Sequence, residues 1–286
     1  MRISRRALLA GMATLRAAPK PLRFGICNET FGDRPFAEAC HAAKAAGYGG
    51  IEIAPYTLHA QPAALRKIMR DEGLTFIGLH SLLSEPAGLH ITTADAAVRR
   101  RSWDHLTQLV DLCSSLGSSG VMVLGSGKQR SAWSGGSSIA EASKRLEDGL
   151  AALAPIAHAR GVTVLIEPLA PSNSDVVNTL GEAVAIVERI GNRGLSAMFD
   201  THNSAAEKVP PAELIAKYFR YIRHVHVNEM DGRHPGTGNF DFAPVLRALE
   251  RHGYQRWVSV EVFDFSAGGD AIANESLRAL RAAAQQ

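Results

Sequence analysis

A chain of 286 residues, 46% hydrophobic and 21% charged, with mean hydropathy near zero, is long enough to bury a large core and too apolar to be disordered. Its formal charge of +3 arises at the start: Arg2, Arg5, Arg6, Arg16 and Lys20 fall in the first 20 residues, no acid does, and the rest carries −2. A near-neutral body argues against a general nucleic-acid binder, which needs a basic face, and points to small-molecule partners.

The opening, "MRISRRALLAGMATLRAAPKP", holds a twin arginine, an apolar run from Ala7 to Leu15 too short to span a bilayer, and small residues at Ala17 and Ala18. It resembles a twin-arginine export signal, so residues 1–20 are expected to send the mature protein to the periplasm, or else to be a basic helical extension of a cytoplasmic enzyme. No later stretch approaches 18 apolar residues, and no membrane span is expected.

From residue 21 onward, short apolar runs alternate with longer amphipathic ones. The strand candidates, in order, are "LRFGIC", "GGIEI", "TFIGLH", "GVMVLG", "VTVLIE", "LSAMFD", "IRHVHV" and "WVSVEV". Between them Phe36 to Ala46, Ala94 to Leu116, Ile139 to His158 and Glu182 to Ile190 repeat apolar residues at three- and four-residue intervals, the period of a helix. Glycines punctuate several helix ends, as in "AAGYGG" and "SLGSSG". Eight strand–helix units in about 260 residues predict a single closed (β/α)8 TIM barrel over residues 21–286. The runner-up is an open doubly wound sheet, but "GICNETFG" after the first strand is not the G-x-G-x-x-G turn of a dinucleotide fold. Cys27, Cys40 and Cys113 form no C-x-x-C pattern and are read as buried thiols, not a disulfide framework or metal site.

Barrel active sites sit at the C-terminal ends of the strands. The fifth strand ends at Glu167, the sixth at Asp200, the seventh at His226, and the eighth reaches Glu261. Alone, each would read as a salt bridge or helix cap. Together they would repel one another unless a divalent cation joined them. A mostly oxygen ligand set suits Mn²⁺ first, with Mg²⁺, Co²⁺ or Zn²⁺ as alternatives.

This set, with "GYGGIEI", "IEPL" and "PGTGNFDFAPVLRALERHGYQRWVSVEVF", resembles the xylose isomerase-like TIM-barrel superfamily, and within it the D-tagatose and D-psicose 3-epimerases. "FGICNETF" and "GSGKQR" resemble a bacterial subgroup labelled sugar phosphate isomerase/epimerase. The resemblance implies a metal-dependent isomerase or epimerase acting on a ketose or keto-sugar through an enediolate, with Glu167 and Glu261 as base and acid. It also implies a homodimer or homotetramer.

Further substrate contacts are expected from His80 at the end of the third strand, from Lys128 and Arg130 in "GSGKQR", and from Glu29 just past the first strand. His202 and Asn173 are read as further contacts to the sugar: His202 lies two residues beyond Asp200, where the epimerases have their substrate histidine three beyond and Asn203 holds that place here. Asn173 stands where they have a second glutamate, and Arg233 is a candidate clamp for sugar hydroxyls or an anion. Glu52 is read as pairing with a neighbouring charge, and His224 as a packing or polar-network residue facing away from His226. Alternatives on the same scaffold are a lyase or dehydratase that expels a β-substituent, a barrel that binds a sugar without turning it over, and a DNA-repair enzyme of the endonuclease IV type. The last is disfavoured by the sparse histidines and the near-neutral body.

Overall fold

The computed structural model describes residues 21–58 and 60–286; the arginine-rich start expected to be an export signal lies outside them. Eight strands, β1 (Arg23–Cys27), β2 (Gly50–Ile53), β3 (Thr75–Leu79), β4 (Val121–Leu124), β5 (Thr163–Ile166), β6 (Leu195–Asp200), β7 (Ile222–Val227) and β8 (Trp257–Val260), pair in sequence order and close into a parallel barrel. The closing seam runs from Arg23 opposite Trp257 to Ile26 opposite Val260. The helices are α1 (Phe36–Ala46), α2 (Pro62–Asp71), α3 (Ala96–Leu116), α4 (Ala132–Gly135), α5 (Ile139–Ala159), α6 (Leu180–Ile190), α7 (Pro211–Tyr218), α8 (Ala243–Arg251) and α9 (Gly269–Ala284). All but the one-turn α4 follow the eight strands one for one, giving a single (β/α)8 TIM barrel as the sequence predicts.

Local chemistry fixes the helix starts. Asp95 caps α3 by accepting from Ala97 and Val98 amides, and reciprocal Ser138–Glu141 and Thr179–Glu182 pairs cap α5 and α6. The strands are mostly apolar, with inward polar residues such as His224 and His226 in β7, and most of the core lies between barrel and helices. A smaller cluster of Ile77, Val121, Val123, Leu165 and Met198 plugs the barrel interior. Gly25 and Gly50 leave room for it: a Cβ on either would lie within 3 Å of Ile77.

Two register shifts matter for the site. Between β2 and β3, Ile51 opposes Phe76 but Glu52 opposes Gly78, so β3 holds one extra residue; between β6 and β7 the shift falls between Ala197 and Phe199. Such bulges re-aim side chains near active sites, and both lie next to polar residues pointing inward, Glu52 and His224. Cys27, Cys40 and Cys113 are free and buried, as expected. Among the described residues no helix is long and apolar enough to cross a membrane.

Candidate metal centre and substrate cavity

Glu167 follows β5 directly, Asp200 is the last residue of β6, His226 lies near the end of β7, and Glu261 follows β8. Their side chains meet. One donor atom from each lies within 4.8 Å of the other three. His226 Nδ1 is 3.0 Å from Glu261 Oε2, 3.8 Å from Asp200 Oδ2 and 4.0 Å from Glu167 Oε1. All four residues are buried, and neither His226 Nδ1 nor Asp200 Oδ2 has a hydrogen-bond partner.

Buried polar atoms without partners are rare, and here both belong to one cluster of three carboxylates and an imidazole. Burial, then the charges of Glu261 and Asp200, push Glu167 well above the usual carboxylate range. Burial and Glu261 raise Asp200 to about 6. Burial alone would depress His226, but Glu261 and Glu52 outweigh it and hold the imidazole well above its ordinary value. The cluster by itself therefore retains protons that a cation would displace. A carboxylate–imidazole donor set that converges and gives up those protons fits a hard or borderline divalent ion.

The surroundings orient each donor. His226 Nε2 stands 3.1 Å from both oxygens of Glu52, so the ring donates there and Nδ1 is left to face the acids. Glu52 also accepts from His224 Nε2 at 2.7 Å. The expectation that His224 faces away from His226 fails: residues two apart on one strand share a face, and the two rings lie 4.9 Å apart inside the barrel. Asn203 donates from its backbone to Asp200 Oδ1 at 2.9 Å and from Nδ2 to Glu167 Oε1 at 3.2 Å. Gly125, the first residue after β4, packs directly against the Glu167 carboxylate.

Above this quartet opens a cavity of about 560 Å³. Of the residues read from the sequence as substrate contacts, His80, Lys128, Asn173 and His202 line it, together with Glu167 and Glu261. Asn173 also donates to Asn203 Oδ1 at 3.4 Å, and His202 Nδ1 donates to the Met230 carbonyl at 2.8 Å. Three residues read as contacts stand outside the cavity lining. Glu29 does not line the cavity; it is engaged by His80 Nε2 at 2.5 Å, Ser81 Oγ at 3.2 Å and the Tyr56 hydroxyl. Arg233 turns back on Asp231, two residues earlier in the same loop, at 2.8 Å, and Asp231 takes its place in the cavity wall. Arg130 also departs from expectation: it is fully buried and donates to the Leu124 and Val177 carbonyls, which makes it a brace of the loop.

Two aromatic residues that the sequence reading passed over stand at the mouth. Trp133 is 61% exposed and Phe263 53%, yet both line the cavity. The Trp133 segment is firmly held: the Ala132 and Trp133 amides donate to Asp175, Ser131 Oγ bonds Ser174, and the Ile91 amide donates to the Gln129 carbonyl. An exposed indole on the pinned one-turn helix α4 is a platform for the apolar face of a ligand.

The profile of the xylose isomerase-like TIM barrel matches residues 40–283. An L-ribulose 3-epimerase of Mesorhizobium japonicum is 30% identical over 207 residues, covering 70% of this chain; the match spans 65% of that relative's own length, just under two thirds. Among solved structures, an L-ribulose 3-epimerase superposes with a TM-score of 0.79 at 25% identity, over 92% of this chain and 96% of the other. The apo 3-keto-D-glucoside 4-epimerase of E. coli shares the fold, with a TM-score of 0.82 at 20% identity over 91% and 99% of the two chains.

Proposed function

The chain belongs to the xylose isomerase-like TIM-barrel family, and within it we propose that it is a divalent-metal-dependent epimerase or isomerase of a ketose or keto-sugar. One observation carries this reading: two carboxylates, Glu167 and Glu261, reach one cavity floor from different strands, beside the Asp200–His226 pair that would complete a cation site. The names of the relatives, 3-epimerases of L-ribulose and a 4-epimerase of a 3-keto-glucoside, support the same reaction class.

Glu167, Asp200, His226 and Glu261 would hold the ion, Mn²⁺ by preference for an oxygen-rich set. When bound, it supplies Lewis-acid polarisation of a substrate carbonyl and adjacent hydroxyl. The protein groups do the rest. One of Glu167 and Glu261 removes the proton from the carbon next to the carbonyl, and the electron pair delocalises onto the substrate as an enediolate. The other returns a proton to the opposite face, giving the epimer; return by the first to the neighbouring carbon gives the aldose–ketose isomer. Asn203 holds Glu167 in register, and Asn173 and His202 meet the sugar hydroxyls. Lys128 at the mouth would meet an anionic or polar substituent, and Trp133 the apolar face of the sugar.

Residues 1–20 carry a separate part of the proposal, export by the twin-arginine route to the periplasm, which favours free sugars or keto-glycosides over phosphorylated ones. A mature N-terminus still at Met1 in a periplasmic extract would contradict it. A homodimer or homotetramer, the assembly implied by the family, is checked by light scattering.

The reaction is tested by incubating protein purified without chelator with Mn²⁺ and a panel of ketoses, keto-glycosides and ketose phosphates in D₂O. Deuterium uptake at one carbon, abolished by Glu167→Gln or Glu261→Gln, is expected. An unsaturated product would instead indicate elimination, and intact metal binding without exchange on any member of the panel would count against catalysis.

A further inference from the structure

Beside the cation-binding quartet lies a second convergence of donor atoms that the proposed proton transfers do not use. Cys27 ends β1, Glu52 lies in β2 and His80 follows β3, and each is at most 1% exposed. Cys27 Sγ, a Glu52 oxygen and a ring nitrogen of His80 all lie within 4.8 Å of one another.

Proximity is joined by orientation. His80 Nε2 stands 2.5 Å from Glu29, so the ring donates its proton there. Its Nδ1 is buried, has no hydrogen-bond partner, and lies 3.8 Å from Glu52 Oε1. This repeats the arrangement at His226, where a carboxylate holds Nε2 and the bare Nδ1 faces acids. A carboxylate behind an imidazole is the usual way a protein presents a nitrogen lone pair to a cation. Glu52 still has room: a carboxylate has about four lone-pair sites, and its hydrogen bonds come from His224 and His226. Cys27 differs from the other two thiols, since neither Cys40 nor Cys113 joins a cluster of potential ligands among the described residues.

We propose that Cys27, Glu52 and His80 form a second divalent-cation site, adjacent to the quartet but using none of its four residues, and suited to a borderline-soft ion such as Zn²⁺ or Co²⁺. One sulfur, one nitrogen and one oxygen donor match that class of ion, and drawing them to about 2.0–2.3 Å from a common centre needs only a small contraction. Three protein ligands leave a fourth position for water or another small ligand. On binding, the Cys27 S–H bond breaks, the sulfur pair goes to the ion, and the proton leaves to solvent. The competing arrangement has Cys27 joining the first site, because Sγ is equally within 4.8 Å of His226 and Glu261 donors. That arrangement would leave His80 Nδ1 unpaired, whereas the second site satisfies it.

The site stands independently of the sugar chemistry and is tested without a substrate. Metal-free full-length protein is titrated with Co²⁺, bound metal is counted after desalting, and thiolate-to-cobalt charge transfer is followed in the near ultraviolet. Two equivalents and a charge-transfer band are expected. Cys27→Ser and His80→Gln should each bind one equivalent without the band, and Asp200→Asn should bind one equivalent and keep it. Absence of the band in the unmodified protein overturns the proposal whatever the variants do. So does a band that survives His80→Gln and vanishes in Asp200→Asn, since that places Cys27 at the quartet.

Discussion

Gly125 and Glu167 compete for one volume: a Cβ built on Gly125 would lie 1.7 Å from Glu167 Oε2. The glycine is needed for space, because the carboxylate occupies the position that any side chain would take. Gly125→Ala should therefore swing Glu167 out of the quartet. We expect at least a roughly 100-fold loss of proton exchange, the scale of a misplaced catalytic group, with about 1–3 kcal/mol of destabilisation from overpacking. Circular dichroism and Mn²⁺ titration on the same sample separate the two effects.

Asn203 spans Asp200 and Glu167, and its backbone bond survives any side-chain change. Asn203→Ala should keep the fold and weaken Mn²⁺ binding about 10- to 100-fold, as loss of an outer-shell partner does. Asn203→Asp should be worse, because it replaces a donor to Glu167 with a further negative charge. Isothermal titration of both variants provides the ranking, and equal affinities would contradict this role.

Metal binding should depend on pH with a definite sign. Glu167 is held well above the usual carboxylate range and Asp200 at about 6, by burial first and the neighbouring acids second. A carboxyl whose value is higher in the folded chain favours folding at low pH, and that contribution is lost as pH rises through the folded value. Chelated protein should thus lose stability at this site between pH 5 and 8. Because the ion displaces those protons, the rise in Tm on adding saturating Mn²⁺ should be larger at pH 8 than at pH 5.5, and apparent affinity should fall about tenfold for each unit by which pH is lowered and each proton displaced. Thermal scans with and without Mn²⁺ across that range measure both.

Trp133 lines the cavity with its indole exposed and carries no group that transfers a proton, so Trp133→Ala should raise KM several-fold and leave kcat within about twofold, the pattern of lost uniform binding. Steady-state kinetics on whichever substrate exchanges deuterium decide it; an equal fall in kcat and kcat/KM would show that the indole acts in the transition state.

The barrel was legible in the sequence because its strands and helices differ in apolar period and in glycine punctuation. The quartet was legible because each member ends a strand, the one place where topology alone brings distant residues together. Contacts made by irregular backbone were not. Lys128 and Arg130 stand two apart in one loop, yet one lines the cavity and the other is buried beneath it. Arg233 and Asp231 exchange places for the same reason. The hold of Asn203 on two acids depends on the turn after β6, and the closeness of Gly125 to Glu167 on the β4–β5 pairing, neither of which has a period to read. His224 was open to the pattern, since its separation of two from His226 already assigns both rings to one face.

The bonds that fix the Trp133 segment go to the segments after β3 and β5, so the rim is braced against its neighbours, while below it Asn203 braces Asp200 and Glu167, and Glu52 braces His226. The two frames share few members. Evolution could therefore alter positions 128, 129 and 133 and redirect the enzyme to a new sugar while ion loading stays constant, and a laboratory library confined to those three codons should yield variants that differ in selectivity far more than in metal content.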